Sequence, residues 1–570
     1  MAKKQEVASV ERLAAEGGIA SDESAAEELV IEANEGPVDE PGNEPDENFA
    51  WEGEYCEAGC SIEMDYSYSL KVMRSCGREL HVAPDGIDEK PACLMHSKDP
   101  NKQSGPLFDA FWSEFERILK DAGEGEAHFE HFVFPELDFS ERTFLAGCRF
   151  DFATFTQDAD FGKAIFENVP SFYEATFEEG AGFDEATFTK GALFSGSTFT
   201  QDADFYEAIF VETATFSEAT FAQSADFFET TFRQFADFSD ASFAQDADFV
   251  QATFARDADF AGVTFTKTAI FRNTKFYGAS NWRESRFFDQ AEFRGTEFRL
   301  RVKGRPSAVF ALAKFTKPGE IVFDEVDLSR ALFHNCDVSQ VWFTSSVQWA
   351  KRENNHGLAV FDETIPLKQE YGRELRGDRQ RDYRAVAQIY QQLKKNYDSR
   401  LDYWTANEFH FGEIEMKRLA MPTSGPLLWL RRWWHRNLSF VAWYRRASDY
   451  GNSYRKPLLW LLGTLAAAAL LFPIPGIGLK PPISGDAASA ASVTYSRVWN
   501  RQESWTNNFW TEAKLIGKSG ITAIDTATFQ RTPEYTPVYP QGRVVAILET
   551  LLTSSLFALF LLAIRRQFRR

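Results

Sequence analysis

The sequence predicts a mainly β fold: a four-sided solenoid of stacked short strands, followed by an α-helical linker and a two-helix transmembrane hairpin. Three observations predict it. Phenylalanine recurs in alternating steps of six and five, a small residue stands two places before most of these phenylalanines, and the long apolar runs lie in a basic back half behind an acidic front.

In "QDADFVQATFARDADF" (245–260) the phenylalanines fall at 249, 254 and 260. The register holds from Phe139, Phe144 and Phe150 to Phe276, with Trp282 in the next place and then Phe287, Phe293 and Phe298. Ala159, Ala181, Ala203, Ala225, Ala247 and Ala258 each stand two positions before a phenylalanine. Positions i and i−2 of an extended segment share a face, so each sub-repeat turns one large and one small residue inward. Phenylalanine every 5.5 residues would wander around a helix, whereas a short fixed period means stacked units that share a core. Four faces per coil use about 22 residues, which gives about seven coils over 139–298 and a rod roughly 34 Å long at the ~4.8 Å spacing of strands. Each ring at the axis buries on the order of 150–250 Å².

The residue just before each phenylalanine is expected to face solvent. At that place Asp204, Asp226 and Asp248 recur every 22 residues, and so do Asp237 and Asp259. Carboxylates ~5 Å apart repel one another in water. The bland account is a soluble, aggregation-resistant face. The sharper ones are mimicry of a phosphate backbone or a ladder for cations.

The A-[DT]-F-x-x pattern resembles the Phe-centred form of the pentapeptide-repeat family. The resemblance implies a right-handed quadrilateral β-helix, placed here over 134–350. "VDLSRALFHNCDVSQVWFTSSVQW" (326–349) is a further piece of it, with Leu328, Phe333, Val338 and Phe343 five apart, and 299–320 is expected to be a loop. Because some members mimic DNA to bind topoisomerase, that role ranks third among the readings. Nucleic acid itself is not an expected partner.

Residues 1–350 hold 30 Lys/Arg against 65 Asp/Glu, a net −35, and 351–570 hold 31 against 19, a net +12. Residues 1–50, as in "EELVIEANEGPVDEPGNEPDE", have too little apolar content to fold alone and read as a disordered acidic tail. No basic stretch followed by an apolar core opens the chain, so the N-terminus is expected in the cytoplasm. Residues 51–103 read as a candidate zinc module. Thiolates and imidazole suit tetrahedral Zn²⁺, and Cys56, Cys60, Cys93 and His96 are the favoured set, with Cys76 as substitute. Buried free cysteines are the alternative. Zinc here would be structural, because no acidic general base stands beside the cluster. Cys148 and Cys336 read as solenoid filler. In 104–122, Phe108, Phe111, Trp112, Phe115, Ile118 and Leu119 share one helical face, which suits a helix that caps the first coil.

Residues 351–456 read as a helical linker and juxtamembrane region. Tyr383, Ile389, Tyr390, Leu393 and Tyr397 follow helical spacing. "LLWLRRWWHRNLSFVAWYRRASDYGNSYRKP" crowds aromatic rings with arginine, as membrane interfaces do. Residues 457–570 carry two apolar runs, Pro457–Phe472 and Val544–Ile564. The first has 16 residues and reaches ~20, the spanning length, only through "PIPGIGL". Arg and Lys flank the runs at 445, 446, 455, 456, 565 and 566, so the positive-inside rule puts both flanks in the cytoplasm. "YQQLKKNYDSRLDYWTANEFHFGEIEMKR" and the end "FALFLLAIRRQFRR" resemble bacterial pentapeptide-repeat membrane proteins whose two C-terminal spans enclose a segment like that of two-helix ion channels. There is no T-x-G-[YF]-G filter, and "KSGITAIDTATF" stands near its place, so potassium selectivity is not expected. Glu549, with Thr550 and Ser554, is the pore or intramembrane candidate, since a carboxylate in a span is costly.

No nucleophile–base pair, phosphate-cradling loop or catalytic metal motif is present, which argues against an enzyme. Apart from the candidate zinc, no cofactor is expected. The sequence points to a protein of the bacterial inner membrane with both termini cytoplasmic, forming a homo-oligomer with a tetramer favoured. It acts either as an anchored scaffold for an unknown protein partner or as a channel-like assembly gated by the β-helix.

Overall fold

The structure, a computed structural model, describes residues 78–568 except 85–86, 89–91, 353–356, 365–382, 421–429, 431–432, 435–436, 452, 475–478, 481–504, 529–535 and 538–539. The described residues fall into two compact units, one within 1–351 and 359–381, the other within 352–358 and 382–570.

The first unit is built on a solenoid of parallel strands, mostly two residues long, that stack into faces of ten, eight, seven and nine strands. From Leu137 to Phe298 each strand pairs with the one 22 residues on, as Ala203 and Asp204 do with Ala225 and Asp226. Four phenylalanine columns fill the axis. Within a column the rings are parallel at about one strand spacing, 4.9 Å for Phe205–Phe227 and 4.8 Å for Phe227–Phe249. Between columns they meet edge to face, as Phe205 and Phe216 do at 5.3 Å and 89°, except across the five-step, where they are tilted, as Phe205 and Phe210 are at 39°. The edge-to-face contacts set the positive edge of one ring against the negative face of the next. The alanines two places before each ring are buried as predicted, including Ala159, Ala203 and Ala247. Where threonine or serine takes that place, its hydroxyl donates to a carbonyl, as Thr230 does to Phe205 at 2.8 Å, so the polar group carries no unmet hydrogen bond.

The alternating steps are two kinds of corner. In the five-step, Ala208 N–H donates to the Phe205 carbonyl at 3.0 Å, and Glu207 between them has φ +56°. The same left-handed place holds Glu141, Glu174, Glu185, Glu218, Glu229 and Glu284, residues with no preference for it. In the six-step, an aspartate accepts from the backbone of the next coil: Gly180 N–H donates to Asp158 at 3.0 Å and Ser224 N–H to Asp202 at 3.1 Å.

The solenoid departs from the expected limits at two places and keeps them at a third. It begins earlier, with strands at Glu126–His128 and Val133–Phe134, and Phe129 and Phe134 join the columns. The expected loop 299–320 is partly solenoid, because the register returns at Ala308–Val309 and Phe310 stacks on Trp282 at 5.9 Å. The piece at 326–349 is solenoid as expected, with Phe333 on Phe310 at 5.5 Å and Phe343 on Phe323 at 5.4 Å.

Helix α1 (Pro106–Ala122) closes the first coil. Phe111 and Phe115 are fully buried, Phe115 stacks on Phe129 at 4.6 Å, and Trp112 lies on Phe139 at 5.9 Å. The Arg142 guanidinium pairs with Glu116 at 2.7 Å and lies over the rings of Trp112, Phe115 and Phe144. At the other end Phe361 joins Val309, Ala311 and Leu332 in an apolar cluster, and Asp362 accepts the Phe333 N–H at 3.2 Å.

The second unit is helical: α2 (Tyr383–Ser399), α3 (Tyr403–Leu419), α4 (Phe440–Ser448), α5 (Arg455–Leu471), α6 (Trp505–Ala527) and α7 (Pro540–Phe568). Helices α2 and α3 form a hairpin over buried Ile389, Tyr390, Leu393, Tyr397 and Phe409. A Cβ at Gly412 would lie 2.5 Å from the Tyr390 ring, so the close crossing needs glycine there. Helices α5, α6 and α7 pack together around Ala468, Phe472 and Ala523.

Candidate functional site

Among the described residues one helix, Pro540–Arg565 within α7, is long and apolar enough to cross a bilayer. The other apolar run is α5, with 17 residues; at ~1.5 Å per residue such a helix falls short of the ~30 Å hydrocarbon core. Between them the expected loop or re-entrant segment contains the 23-residue helix α6.

The aspartate ladder is real in register but differs in role from the expected outward face. Asp204, Asp226 and Asp248 follow one another on the ten-stranded face, and Asp237 and Asp259 on the seven-stranded one. All five are half-buried rather than solvent-facing. Each Oδ1 accepts the N–H two residues on: Tyr206 at 2.8 Å, Phe228 at 2.8 Å, Val250 at 2.7 Å, Ser239 at 2.9 Å and Ala261 at 2.8 Å. These are Asx turns, and they explain why aspartate recurs at a strand end that leads into a tight corner. Burial pushes the carboxyls of Asp204, Asp226, Asp248 and Asp259 above the ordinary range, and a neighbouring carboxylate adds to this at Asp204, Asp226 and Asp259.

The more exposed acidity comes from corner glutamates such as Glu174, Glu185 and Glu218 and from the six-step aspartates Asp158, Asp202 and Asp246. Across 139–250 the solenoid holds 21 Asp/Glu against 5 Lys/Arg, whereas 251–350 holds 11 against 14. The rod is acidic along its first part and mildly basic along its second.

Of the expected zinc ligands, Cys56, Cys60 and Cys76 lie outside the described residues. The other two meet: Cys93 Sγ is 3.1 Å from His96 Nδ1, both buried. His96 stands edge-on to Phe132 at 5.3 Å. Among the described residues no three His, Cys, Asp or Glu side chains gather as a metal site. Beside this pair Lys102 is buried, its Nζ donating to the Leu94 and Val133 carbonyls at 3.0 and 2.6 Å. Burial pushes this ammonium down to about 7. Cys148 and Cys336 are buried free thiols in the rod, as filler would be, and burial pushes Cys148 up to about 12.

In the helical unit Glu549 is only 5% exposed, and neither carboxyl oxygen has a hydrogen-bond partner among the described residues. Thr550 Oγ1 donates to the Ala546 carbonyl at 2.8 Å and lies 3.3 Å from the Thr526 carbonyl of α6. The Ser554 hydroxyl is also buried without a partner. Helix α6 contributes buried Ser519, Thr522 and Asp525. Their spacing of three puts them on one helical face. That stripe is the signal that picks them out, and reading the segment for filter glycines passes over it.

A second buried carboxylate lies nearer the basic flank. Glu415 accepts from Arg418 at 3.0 and 2.6 Å, from Arg445 at 2.9 Å and from the Tyr450 hydroxyl at 2.7 Å. Burial alone would push Glu415 up, and the Arg418 and Tyr450 hydrogen bonds more than reverse it, leaving the carboxyl below the usual range. Neither Arg445 nor Tyr450 stands at a helical spacing from Glu415, so the network is invisible to periodicity.

The family model described as pentapeptide repeats (9 copies) matches residues 139–187, 183–231 and 227–275. No curated protein and no solved structure matches the chain.

Proposed function

Since the chain carries a pentapeptide-repeat β-solenoid, we propose that it is a membrane-anchored scaffold whose rod holds a protein partner. The observation that carries this reading is the charge of the rod's first part, 21 acidic against 5 basic residues over 139–250. A stiff surface of one sign selects a partner of the other and speeds its encounter. The partner therefore presents a basic surface. Helix α7 supplies the anchor, and the apolar run of α5 lengthened by "PIPGIGL" supplies a second span. The arginines and lysines at 445, 446, 455, 456, 565 and 566 keep both flanks, and with them the rod, on the cytoplasmic side of a bacterial inner membrane. A photo-crosslinking amino acid at Glu218 is expected to trap one protein reproducibly in cells. The same probe at Arg294, on the basic part, is expected not to trap it. Equal trapping at both sites, or none at either, overturns the scaffold reading.

A second reading is favoured by Glu549. A buried carboxylate without a partner in an apolar helix suits an ion or proton pathway. In this reading the chain is a channel-like homo-oligomer, a tetramer by preference, and Glu549, Thr550 and Ser554 line or gate the path. Planar-bilayer current from purified protein, altered by Glu549→Gln, supports it. A monomer by native mass spectrometry that passes no current overturns it.

A further inference from the structure

The basic juxtamembrane region folds around a cleft of about 300 Å³ lined by Arg418, Asn437, Arg445, Arg446, Asp449 and Lys456. The residues come from the last turn of α3, from Asn437 just ahead of α4, from α4 and its end, and from the first turn of α5. Their charges do not cancel. Glu415 takes hydrogen bonds from Arg418 and Arg445 together, and Asp449 takes one from Lys456 at 2.6 Å. Four cations thus face two carboxylates. Arg446 donates only to a neutral acceptor, the Asn437 carbonyl at 2.7 Å, and no carboxylate pairs with it among the described residues.

The rim supplies a separate observation. The segments that supply the cleft carry large aromatic side chains that stay unburied: Trp433 is 52% exposed, Trp434 60%, Phe440 86%, Trp443 53% and Trp460 50%. Two of them are tied to the cleft itself. Trp443 lies under the Arg446 guanidinium at 5.9 Å, and the Trp460 indole N–H donates to the Arg446 carbonyl at 3.3 Å. Exposed tryptophans beside arginines, at the start of an apolar helix, have the chemistry of a headgroup layer.

We propose that this cleft binds the phosphate of an anionic phospholipid headgroup, with Arg446 as its principal ligand and Lys456 and Arg445 as partners. Arginine forks match phosphate oxygens and tolerate partial burial better than lysine. A surplus of two positive charges favours a headgroup with net negative charge over a zwitterionic one, whose own ammonium would meet the same cations. Basic pockets beside spanning helices take anionic headgroups on this principle.

The proposal rests on the membrane-anchor reading, so the two are scored separately. Retention of the full chain in membranes after alkaline carbonate tests the anchor. For the cleft, the detergent-solubilised full chain is offered short-chain phosphatidylglycerol, short-chain phosphatidylcholine or inorganic phosphate, and bound lipid is counted by native mass spectrometry. Phosphatidylglycerol is expected to be retained roughly fivefold more than phosphatidylcholine, about the effect of one basic residue near a charged headgroup. Arg446→Gln is expected to remove the difference and Arg446→Lys to keep part of it. Asn437→Asp, which adds a carboxylate without changing shape, is expected to reduce it even if Arg446→Gln fails to fold. Equal retention of the two lipids by a membrane-inserted chain overturns the cleft and leaves the anchor standing. Displacement of the lipid by millimolar inorganic phosphate makes it a free-anion site and overturns the lipid assignment. Extraction by carbonate overturns both.

Discussion

The solenoid and the helical unit reach order by opposite means. In the rod the same contact recurs many times: Phe194–Phe216, Phe205–Phe227 and Phe227–Phe249 are interchangeable, each at 4.8 or 4.9 Å. In the helical unit order depends on contacts that occur once, as where Glu415 gathers Arg418, Arg445 and Tyr450 from three segments. Repetition spreads stability over many equal layers, so no one layer carries it alone. A unique network concentrates it, and such places are where a site can be built.

The contrast breaks most sharply at the centre of the rod. Phe238→Asp places a charge among rings at 4.8 and 5.0 Å on either side. It is expected to cost more than about 5 kcal/mol, through the lost ring and the unpaired charge. Urea unfolding of the full chain measures it, and an unchanged midpoint would show that Phe238 does not face inward. Next in size, Glu415→Gln leaves two guanidinium groups around a neutral amide and is expected to cost about 3 kcal/mol. This loss should fall in the helical unit while the rod's own transition keeps its midpoint. If both transitions move together, the units do not unfold separately and the contrast fails.

Metal content sharpens the comparison at the cap. Zinc at Cys93 and His96, with Cys56 and Cys60 completing the set, is expected at close to one atom per purified chain. Chelation is then expected to expose the first coil to protease before the middle of the rod. A zinc-free chain with an intact cap would assign the pair at 3.1 Å to simple packing.

The smallest effect tests the ladder. Folded Asp204, Asp226 and Asp248 hold protons more tightly than the unfolded chain does. Their contribution to stability is therefore fully present below the unfolded value of about 3.9 and is lost as pH rises through the higher folded values. Glu114 has the opposite sign. Hydrogen bonds from Arg117 hold it below the usual range, so its contribution is present at neutral pH and lost in acid. Mild acidification from pH 7 is expected to raise the melting temperature of the rod before stronger acid loosens the cap. Asp226→Asn keeps the acceptor for Phe228 N–H and removes one charge from the column. It is expected to add about 0.5 kcal/mol, or about 1–2 °C, at pH 7 and to shrink the gain on acidification. A lower melting temperature would mean that the carboxylate charge itself holds the corner.

How far each region could be read in advance follows from the same contrast. A residue type that repeats at fixed spacing announces its own geometry, so the phenylalanine columns and the buried alanines were legible down to single positions. The first coil was not, because Phe129, Phe134, Phe139 and Phe144 run in steps of five without the alternation that marks the rest. The return at Phe310 was hidden by an insertion that shifts its numbering while leaving its place in the column intact. Strand alternation alone makes the aspartates solvent-facing, but in a two-residue strand the side chain already stands at a corner, within reach of the N–H two residues on. In the helical unit the hairpin followed from spacing. Helix α6 did not, because Ser519, Thr522 and Asp525 dilute the apolar pattern on its buried face. The cleft at Arg446 has no signature at all beyond a crowd of arginines, since it exists only where three helix ends meet.

The 22-residue pairing has a consequence for how such a rod can change. Ala203 pairs with Ala225 and Thr198 with Thr220, so excising 205–226 would bring the flanking columns back into line. The rod would be one step, about 4.8 Å, shorter and otherwise the same. Excising 11 residues would also preserve the phenylalanine rhythm, but everything beyond the cut would be rotated by half a turn. The aspartates of the ten-stranded face would then continue onto the seven-stranded one. Length and facing are thus set by separate units of deletion, and a lineage could tune reach by whole coils while leaving every surface pointing where it did.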